Sequence, residues 1–454
     1  MSLTNNLLFL FCCQFVFCRD NYKASIVNVE KATFNVNNYA SLIHEAAALN
    51  ADIFVLPTQE FSSKSSLEFC GRCIDNYDEI VQTVSNAAKS AQIYVVTHVY
   101  EKINCDLRED IVRSTLVFDK NGDIISVYRK PFGNANCNTT YSNSESFSTD
   151  FGVKFGVLME EDILLQNDMS LRNYIILGAL SQLETTVGHF ASSWAFTTKS
   201  NVISTYGIYG NTEMDIKTGN IIVGELNKNG NDQARLTSSQ STVKACPGQD
   251  PRQYSIRTLD LGLSVEGYEE TVCHGQFCCG FYVKTGNGDP RRSNVTYVLV
   301  AHTGPLKVGS EAIDTQSCAL AACKRSSLQD NDSSNIMFEK VSISGNFSKN
   351  SAQFPILITS TQITIKNFKF ERKSTLKNTQ INTEINNIDN LLKFGIFSRD
   401  YTNDIVIDKE NSTGVLTEFS NYISDENVQE FFDYVWIRVR VVVFIVSIYI
   451  LEMM

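Results

Sequence analysis

The feature that most restricts the fold is an alternation of short apolar runs with amphipathic segments through the first half of the chain. Asp52–Pro57 (DIFVLP) is apolar on both faces, as a strand buried in a parallel sheet is. Tyr39–Leu49 carries Leu42, Ala46 and Leu49 at helical spacing, and Tyr77–Ala91 puts Ile80, Val84, Ala87, Ala88 and Ala91 on one helical face. Ile93–Val99 is another apolar run. Arg113–Phe118 and Asp123–Tyr128 flank Asp119-Lys120-Asn121-Gly122, and Asn-Gly is a strong hairpin signal. Further strands are expected at Ser25–Val29, at Phe151–Leu158, within Asn173–Leu183 and around Tyr206 and Ile221, with a helix over His189–Thr198. Strands, helices and hairpins interleaved in one unit predict a layered α/β domain built on a mixed sheet.

The character changes after about residue 230. Ser, Thr, Asn and Gln rise, cysteines cluster, and short strands dominate: Phe281–Lys284, Thr296–Ala301, Ile336–Ile343, Phe354–Thr359, Gln362–Phe370 and Lys393–Phe397. These predict a second, β-rich domain stapled by disulfides. Asn378–Asn390 is polar and Asn-rich and is predicted to be a long surface loop. A length of 454 residues suits two or three domains. The divisions expected are a leader at 1–18, a first domain at 19–240, a second at 241–418 and a tail at 419–454.

The termini and the cysteines bear on compartment. Leu7–Cys18 is apolar except for Gln14, the length of a signal-peptide core and too short to span a bilayer. Val16 and Cys18 suit cleavage before Arg19; the alternative is a buried N-terminal element. Of 13 cysteines, Cys12, Cys13 and Cys18 fall in that leader. Cys70, Cys73, Cys105, Cys137, Cys246, Cys273, Cys278, Cys279, Cys318 and Cys323 remain, an even set that predicts disulfides in an oxidising compartment. The spacing Cys70-x-x-Cys73 has no matching second pair, which favours a disulfide position over zinc or redox chemistry. Sequons at Asn138, Asn294, Asn331, Asn346 and Asn411 predict glycosylated surface positions. Val441–Leu451 is apolar and short. It is read either as a GPI-anchor signal, which would attach the chain to a membrane, or as a terminal strand packed on the body. The expected location is extracellular or at the cell surface. A net charge of −11 excludes general nucleic-acid binding, which needs clustered Lys and Arg.

The order of segments resembles the nitrilase (carbon–nitrogen hydrolase) superfamily, and within it the vanin and biotinidase family of secreted or GPI-anchored amidohydrolases. The matching stretches are Ala51–Pro57, Ile93–Val96, Leu116–Gly122, Tyr128–Lys130, Phe155–Leu158, Asp162–Leu164, Ser192–Ala195 and Gly207–Tyr209. In the second half, Val272-Cys273-His274-Gly275-Gln276-Phe277-Cys278-Cys279 is similar to the cysteine signature of the vanin-type C-terminal base domain. The resemblance implies a nitrilase-type αββα sandwich followed by a smaller, disulfide-stapled β-rich domain.

The family chemistry uses a cysteine thiolate that attacks an amide carbonyl, a glutamate base, and a lysine that stabilises the oxyanion. Carried onto this chain, the lysine at the end of Tyr128-Arg129-Lys130 is Lys130. The position after Pro57, where the family has its glutamate, holds Thr58. The position two residues before Asp162, where the family has its cysteine, holds Glu160. A threonine hydroxyl cannot serve as a general base near neutral pH. A carboxylate is a poor nucleophile toward an amide, and it adds negative charge where an oxyanion must form. Glu160 is expected to pair with Lys130. Glu60 is a substitute base only if the chain shifts register after Pro57. Cys137 is a substitute nucleophile on paper, but a half-cystine, with Cys105 or another partner, fits the compartment better.

The chain therefore reads as a pseudo-amidohydrolase whose former cleft takes a small molecule, with pantetheine- or biotinyl-amide-like ligands implied by the resemblance, or as a protein that acts through its surface. The alternatives are an amidohydrolase of altered mechanism and an extracellular ligand carrier or storage protein. His44, His98, His189, His274 and His302 show no metal-ligand spacing, and no glycine-rich phosphate loop occurs, so no metal or cofactor is expected. Trp194, with Ser192 and Ser193, is read as core.

Overall fold

A computed structural model of the chain describes residues 19–28, 36–57, 77–105, 108–131, 146–159, 161–165, 170–177, 190–205, 207–210, 216–230, 235–240, 253–286, 295–308, 311–324, 336–361, 363–365 and 367–405. The leader, the tail and the sequons at Asn138, Asn294, Asn331 and Asn411 lie outside them, as do Cys70, Cys73, Cys137 and Cys246. Two units are distinguished, Met1–Gly309 with Ile313–Asn403, and Ser310–Ala312 with Asp404–Met454. Of the second, the described residues are only 311–312 and 404–405.

The first domain opens with β1 (Asn21–Val27), α1 (Val36–Ala48), β2 (Ile53–Val55) and α2 (Tyr77–Ala91). A meander follows: β3 (Tyr94–Cys105), β4 (Arg108–Phe118) and β5 (Ile124–Pro131). Then come β6 (Ser146–Ser148), β7 (Lys154–Met159), α3 (Asp162–Leu165), β8 (Asn173–Leu177) and α4 (Phe190–Thr198). The domain closes with β9 (Asn201–Ser204), β10 (Gly207–Tyr209), β11 (Ile216–Thr218) and β12 (Ile221–Asn227).

These strands make two sheets, ordered β11-β12-β1-β2-β3-β4-β5 and β10-β9-β8-β7-β6. Each has three parallel strands at its heart, β1-β2-β3 and β7-β8-β9, and the central strands β2 and β8 are buried on both faces. The sheets share a core of Ala24, Ile26, Ile53, Val55, Val96, Val117, Phe155, Val157, Ile175 and Ile203. The opposite face of the first sheet buries Val95, Leu116 and Phe118 against Leu42, Ile43 and Ala46 of α1 and Val84, Ala87 and Ala88 of α2. The second sheet carries α3 and α4 on its outer face through Leu158, Tyr174, Ile176 and Val202. Trp194 lies in that layer, 2% exposed and edge-on to Tyr174 at 4.9 Å, as core. The layering is helix, sheet, sheet, helix. The predicted hairpin joins β4 to β5, and Gly122 takes the positive φ of 82° that its tight turn needs.

The second domain is a sandwich of two further sheets. Its strands are β13 (Ser239–Gln240), β14 (Ser255–Thr258), β15 (Tyr268–His274), β16 (Phe277–Thr285), β17 (Val295–Val308) and β18 (Glu311–Lys324), then β19 (Phe338–Ser348), β20 (Ser351–Thr359), β21 (Phe368–Ser374), β22 (Asn378–Ile388) and β23 (Leu391–Ile405). The orders are β13-β20-β23-β18-β17-β14 and β15-β16-β19-β22-β21. Cys273–Cys278 closes the β15–β16 hairpin. Cys279–Cys318 links β16 in one sheet to β18 in the other, with both cysteines fully buried. Cys323 is disulfide-bonded as well. Adjacent Cys278 and Cys279 thus point to opposite faces of β16, as the two-residue period of a strand requires. Asn346, on β19, is exposed.

The second domain packs on α4, where Phe190 meets Phe354 of β20 and Phe397 of β23 at ring distances of 4.6 and 5.4 Å.

Two expectations in the second half need correction, and β14, β15 and β18 lie where no strand is expected. Asn378–Asn390 is not a loop, because β22 occupies Asn378–Ile388 with Thr379, Ile381, Thr383 and Ile385 all buried. Its alternation, not its asparagine content, decides; the asparagines matter at the end, where Asn387 and Asn390 take positive φ. β18 was not anticipated, since its Cys-Ala-Leu-Ala-Ala-Cys core lacks the β-branched residues that mark strands. The strand expected over Gln362–Phe370 starts only at Phe368; Thr364 makes an isolated bridge to Thr237.

Candidate active site

Alternation along β3, β4 and β5 sets the site. Val96, Val117 and Tyr128 belong to the core between the two sheets, so His98, Arg113, Thr115 and Lys130 point into the same space. Their neighbours Glu101, Ser114 and Arg129 point the other way and tie the three strands on the opposite face. There Arg129 Nε donates to Glu101 Oε1 at 2.5 Å, its Nη2 donates to Oε2 at 3.1 Å, and the Ser114 hydroxyl donates to Oε1.

From the second sheet, β7 ends at Met159, and Glu161 and Asp162 follow at the start of α3. Asp162 is buried, and three donors converge on its carboxylate. Tyr128 donates its hydroxyl to Oδ2 at 2.9 Å, the Met159 backbone N–H donates to Oδ2 at 2.8 Å, and the Lys130 ammonium is bonded to Oδ1. Glu161 is equally buried. Arg113 grips it with both terminal nitrogens, Nη1 to Oε2 at 3.3 Å and Nη2 to Oε1, and Lys130 Nζ lies 3.7 Å from Oε1. Burial alone would raise the Glu161 carboxyl, but Arg113 and Lys130 together outweigh it and hold the group below the usual carboxylate range. His98 stands beside this pair. Its Nδ1 is 3.2 Å from Thr115 Oγ1, and its buried Nε2 has no hydrogen-bond partner among the described residues. Burial, then the Arg113 charge, push its pKa down to about 3 against the opposing pull of Glu161. The ring is neutral at any ordinary pH.

The site therefore holds two cations and two carboxylates in balance, all 21% exposed or less at the side chain. Of the residues singled out from sequence, Lys130 is at this centre. Thr58, Glu60 and Glu160 lie outside the described residues, so a Glu160–Lys130 pair does too. The carboxylates found on Lys130 are those of the next two residues, Glu161 and Asp162. Cysteine side chains that are described, Cys273, Cys278, Cys279, Cys318 and Cys323, are all disulfide-bonded and belong to the second domain. In the sequence, Arg113 stands out only as the head of a strand and His98 only as a histidine without metal-ligand spacing. The available signal was parity: Arg113, Thr115 and Val117 share one face of a buried strand, and a charge at an inward position requires a partner.

The family model for carbon-nitrogen hydrolases matches residues 24–171, and that for the vanin C-terminal domain matches residues 248–404. Vanin-like protein 1 of Drosophila melanogaster is 24% identical over 481 residues, covering 84% of this chain and 85% of that protein. Vanin-like protein 2 of the same organism is 25% identical over 355 residues, covering 62% and 67%. The chain belongs to the vanin family of the nitrilase superfamily. Among solved structures it is similar to Saccharomyces cerevisiae Nit3, a member of branch 10 of that superfamily, with 20% identity over 46% of this chain and 90% of that one and a TM-score of 0.35. In this vanin the two domains meet at the site's rear. Fully buried Arg399 of β23 donates from Nε to the Leu164 carbonyl of α3 at 2.7 Å, two residues beyond Asp162. The disulfides and the vanin-like relatives are consistent with an extracellular or surface location.

Proposed function

We propose that this vanin is a non-catalytic member of its family, a secreted or surface-attached glycoprotein that binds a small molecule or a protein partner through the degenerate cleft. The observation that carries the reading is the commitment of Lys130. An ammonium that stabilises an oxyanion must present uncompensated positive charge to it. Lys130 instead meets the Asp162 carboxylate directly and the Glu161 carboxylate at 3.7 Å, so a developing oxyanion there would face two anions. The sequence supports the same reading, with Thr58 and Glu160 in the positions of the family's base and nucleophile. Asp162 is itself occupied, three donors filling all but about one of the acceptor sites of its carboxylate.

The test is hydrolysis of pantetheine-type amides by the purified chain. No turnover is expected. Turnover that Lys130→Ala abolishes would overturn the reading in favour of an amidohydrolase of altered mechanism. In the converse experiment, Thr58→Glu with Glu160→Cys restores the family's residue types. Binding of the same amides by the parent chain, measured calorimetrically, reports on the cleft separately from the chemistry.

A further inference from the structure

We propose that the tip of the β21–β22 hairpin docks on an anionic lipid surface. This does not depend on the cleft or on its loss of chemistry. The two strands pair from Phe368↔Ile385 to Ser374↔Thr379 and are joined by Thr375, Leu376 and Lys377. Thr375 fixes the turn. Its backbone N–H donates to the Asn378 carbonyl at 2.8 Å, and its hydroxyl accepts the backbone N–H groups of Asn378 at 3.1 Å and Lys377 at 3.3 Å. The turn holds Leu376 out from the sheet, 91% exposed, the most exposed large apolar side chain among the described residues. A single exposed leucine is ordinary on a folded surface; what distinguishes this one is its place at a hairpin tip without acidic neighbours.

Cations share that end of the sheet with the leucine. Arg372 and Lys373 are exposed and, as consecutive strand residues, lie on opposite faces of the hairpin; Lys377 follows Leu376 in the turn. Lys349, in the β19–β20 turn, belongs to the same end of the sheet, because Ser348 pairs with Asn378. None of the four forms an ion pair among the described residues. From Arg372 to Thr383 the hairpin contains no acid. The next carboxylates along the hairpin are Glu371 and Glu384, and Glu384 is already held by Lys340 at 2.8 Å and Lys369 at 3.4 Å. The chain as a whole carries −11. An anionic surface therefore repels most of the molecule and attracts this end, which orients the approach tip first.

The leucine selects lipid over other anions. A polyanionic glycan would use the cations and leave Leu376 in water. A protein interface of standard size buries about 1,600 Å² in total, and one projecting side chain does not supply it. A lipid interface takes an apolar point below the headgroups while flanking cations stay at headgroup level.

Full-length protein is co-sedimented with vesicles of phosphatidylcholine alone and of phosphatidylcholine mixed with phosphatidylserine. The apolar segment at 441–451 contributes equally in every variant, so the readout is the preference for the anionic mixture. The parent prefers that mixture, and added salt weakens the preference. Arg372→Ala/Lys373→Ala/Lys377→Ala lowers affinity for it about a hundredfold, each cation counting about fivefold. Leu376→Ser lowers it about tenfold and leaves the salt dependence unchanged. All four residues are exposed, so circular dichroism and melting should match the parent. Equal binding to both vesicle types, or an undiminished preference in the triple variant, would overturn the proposal. So would retention on heparin that the triple variant loses while Leu376→Ser changes nothing on vesicles, which would point to a polyanionic glycan instead.

Discussion

Arg113 of β4 and Glu161 beyond β7 face each other across the space between the two sheets of the first domain, each 7% exposed at the side chain, and form a buried ion pair that joins the sheets. Buried pairs repay little of their desolvation cost, but removing one member strands the other. Arg113→Met should therefore destabilise the chain by about 3–5 kcal/mol, with the lower end favoured because Lys130 stays 3.7 Å from Glu161. Arg113→Met with Glu161→Met should recover most of that loss. Urea midpoints of the two single variants and the double variant measure the coupling.

The same cluster makes stability depend on acid. His98 is held near a pKa of about 3, below the ordinary value of 6.5 for an unfolded chain. Below pH 6.5 the unfolded state takes up a proton that the folded state refuses, so stability is fully present above 6.5 and falls as the pH drops toward 3. Glu161, depressed by Arg113 and Lys130, adds stability present above the unfolded carboxylate pKa and lost as the pH falls through its folded value. The sign is the same for both. Stability should drop by up to ~1.4 kcal/mol per pH unit for His98 alone in that window. His98→Gln should flatten the profile between neutrality and pH 5, where Glu161 does not yet titrate. Chemical denaturation across a pH series reads the slope.

What was legible in the sequence, and what was not, follows from which residues carry the pattern. Ile53, Phe54 and Val55 announce a central parallel strand because both of its faces are buried. Tyr77–Ala91 announces α2 at the observed bounds because its apolar face repeats at helical spacing. β22 was masked by composition: Asn378, Gln380, Asn382 and Glu384 are the solvent half of an alternation whose buried half is Thr379, Ile381, Thr383 and Ile385. At the site, Lys130 was legible through its motif. Its carboxylate partners depend on how β7 runs into α3 beside β5, which no local spacing encodes.

The two disulfides of known pairing should differ in weight. Cys279–Cys318 joins the two sheets of the second domain and spans 39 residues, whereas Cys273–Cys278 spans 5 within one hairpin. Loop entropy then gives about 4 kcal/mol for the first and about 2 kcal/mol for the second. Cys279→Ala/Cys318→Ala should lower the melting temperature more than Cys273→Ala/Cys278→Ala. Differential scanning calorimetry of the paired variants decides the order, and an inverted order would mean that native packing around Cys279 is not what the bond protects.

Arg399 couples the second domain to the first. It is fully buried, donates from Nε to the Leu164 carbonyl and from Nη1 to the Asp400 carbonyl, and lays its guanidinium over Tyr401 at 4.6 Å. Lysine cannot reproduce the planar fork, so Arg399→Lys is not a mild change. Arg399→Met leaves the buried Leu164 carbonyl without its charged donor, at a cost of about 1.5–3 kcal/mol. Tyr128, Met159 and Lys130 hold Asp162 from within the first domain, and Arg399 holds the C-terminal half of the four-residue α3 from the second. Both variants should speed amide hydrogen exchange at Leu164 and Leu165, whose N–H groups bond the Glu161 carbonyl. The amides of α2, on the far side of the first sheet, should be unaffected. Exchange that rises equally in α2 would instead indicate general loss of stability and remove Arg399 from any role in holding the site.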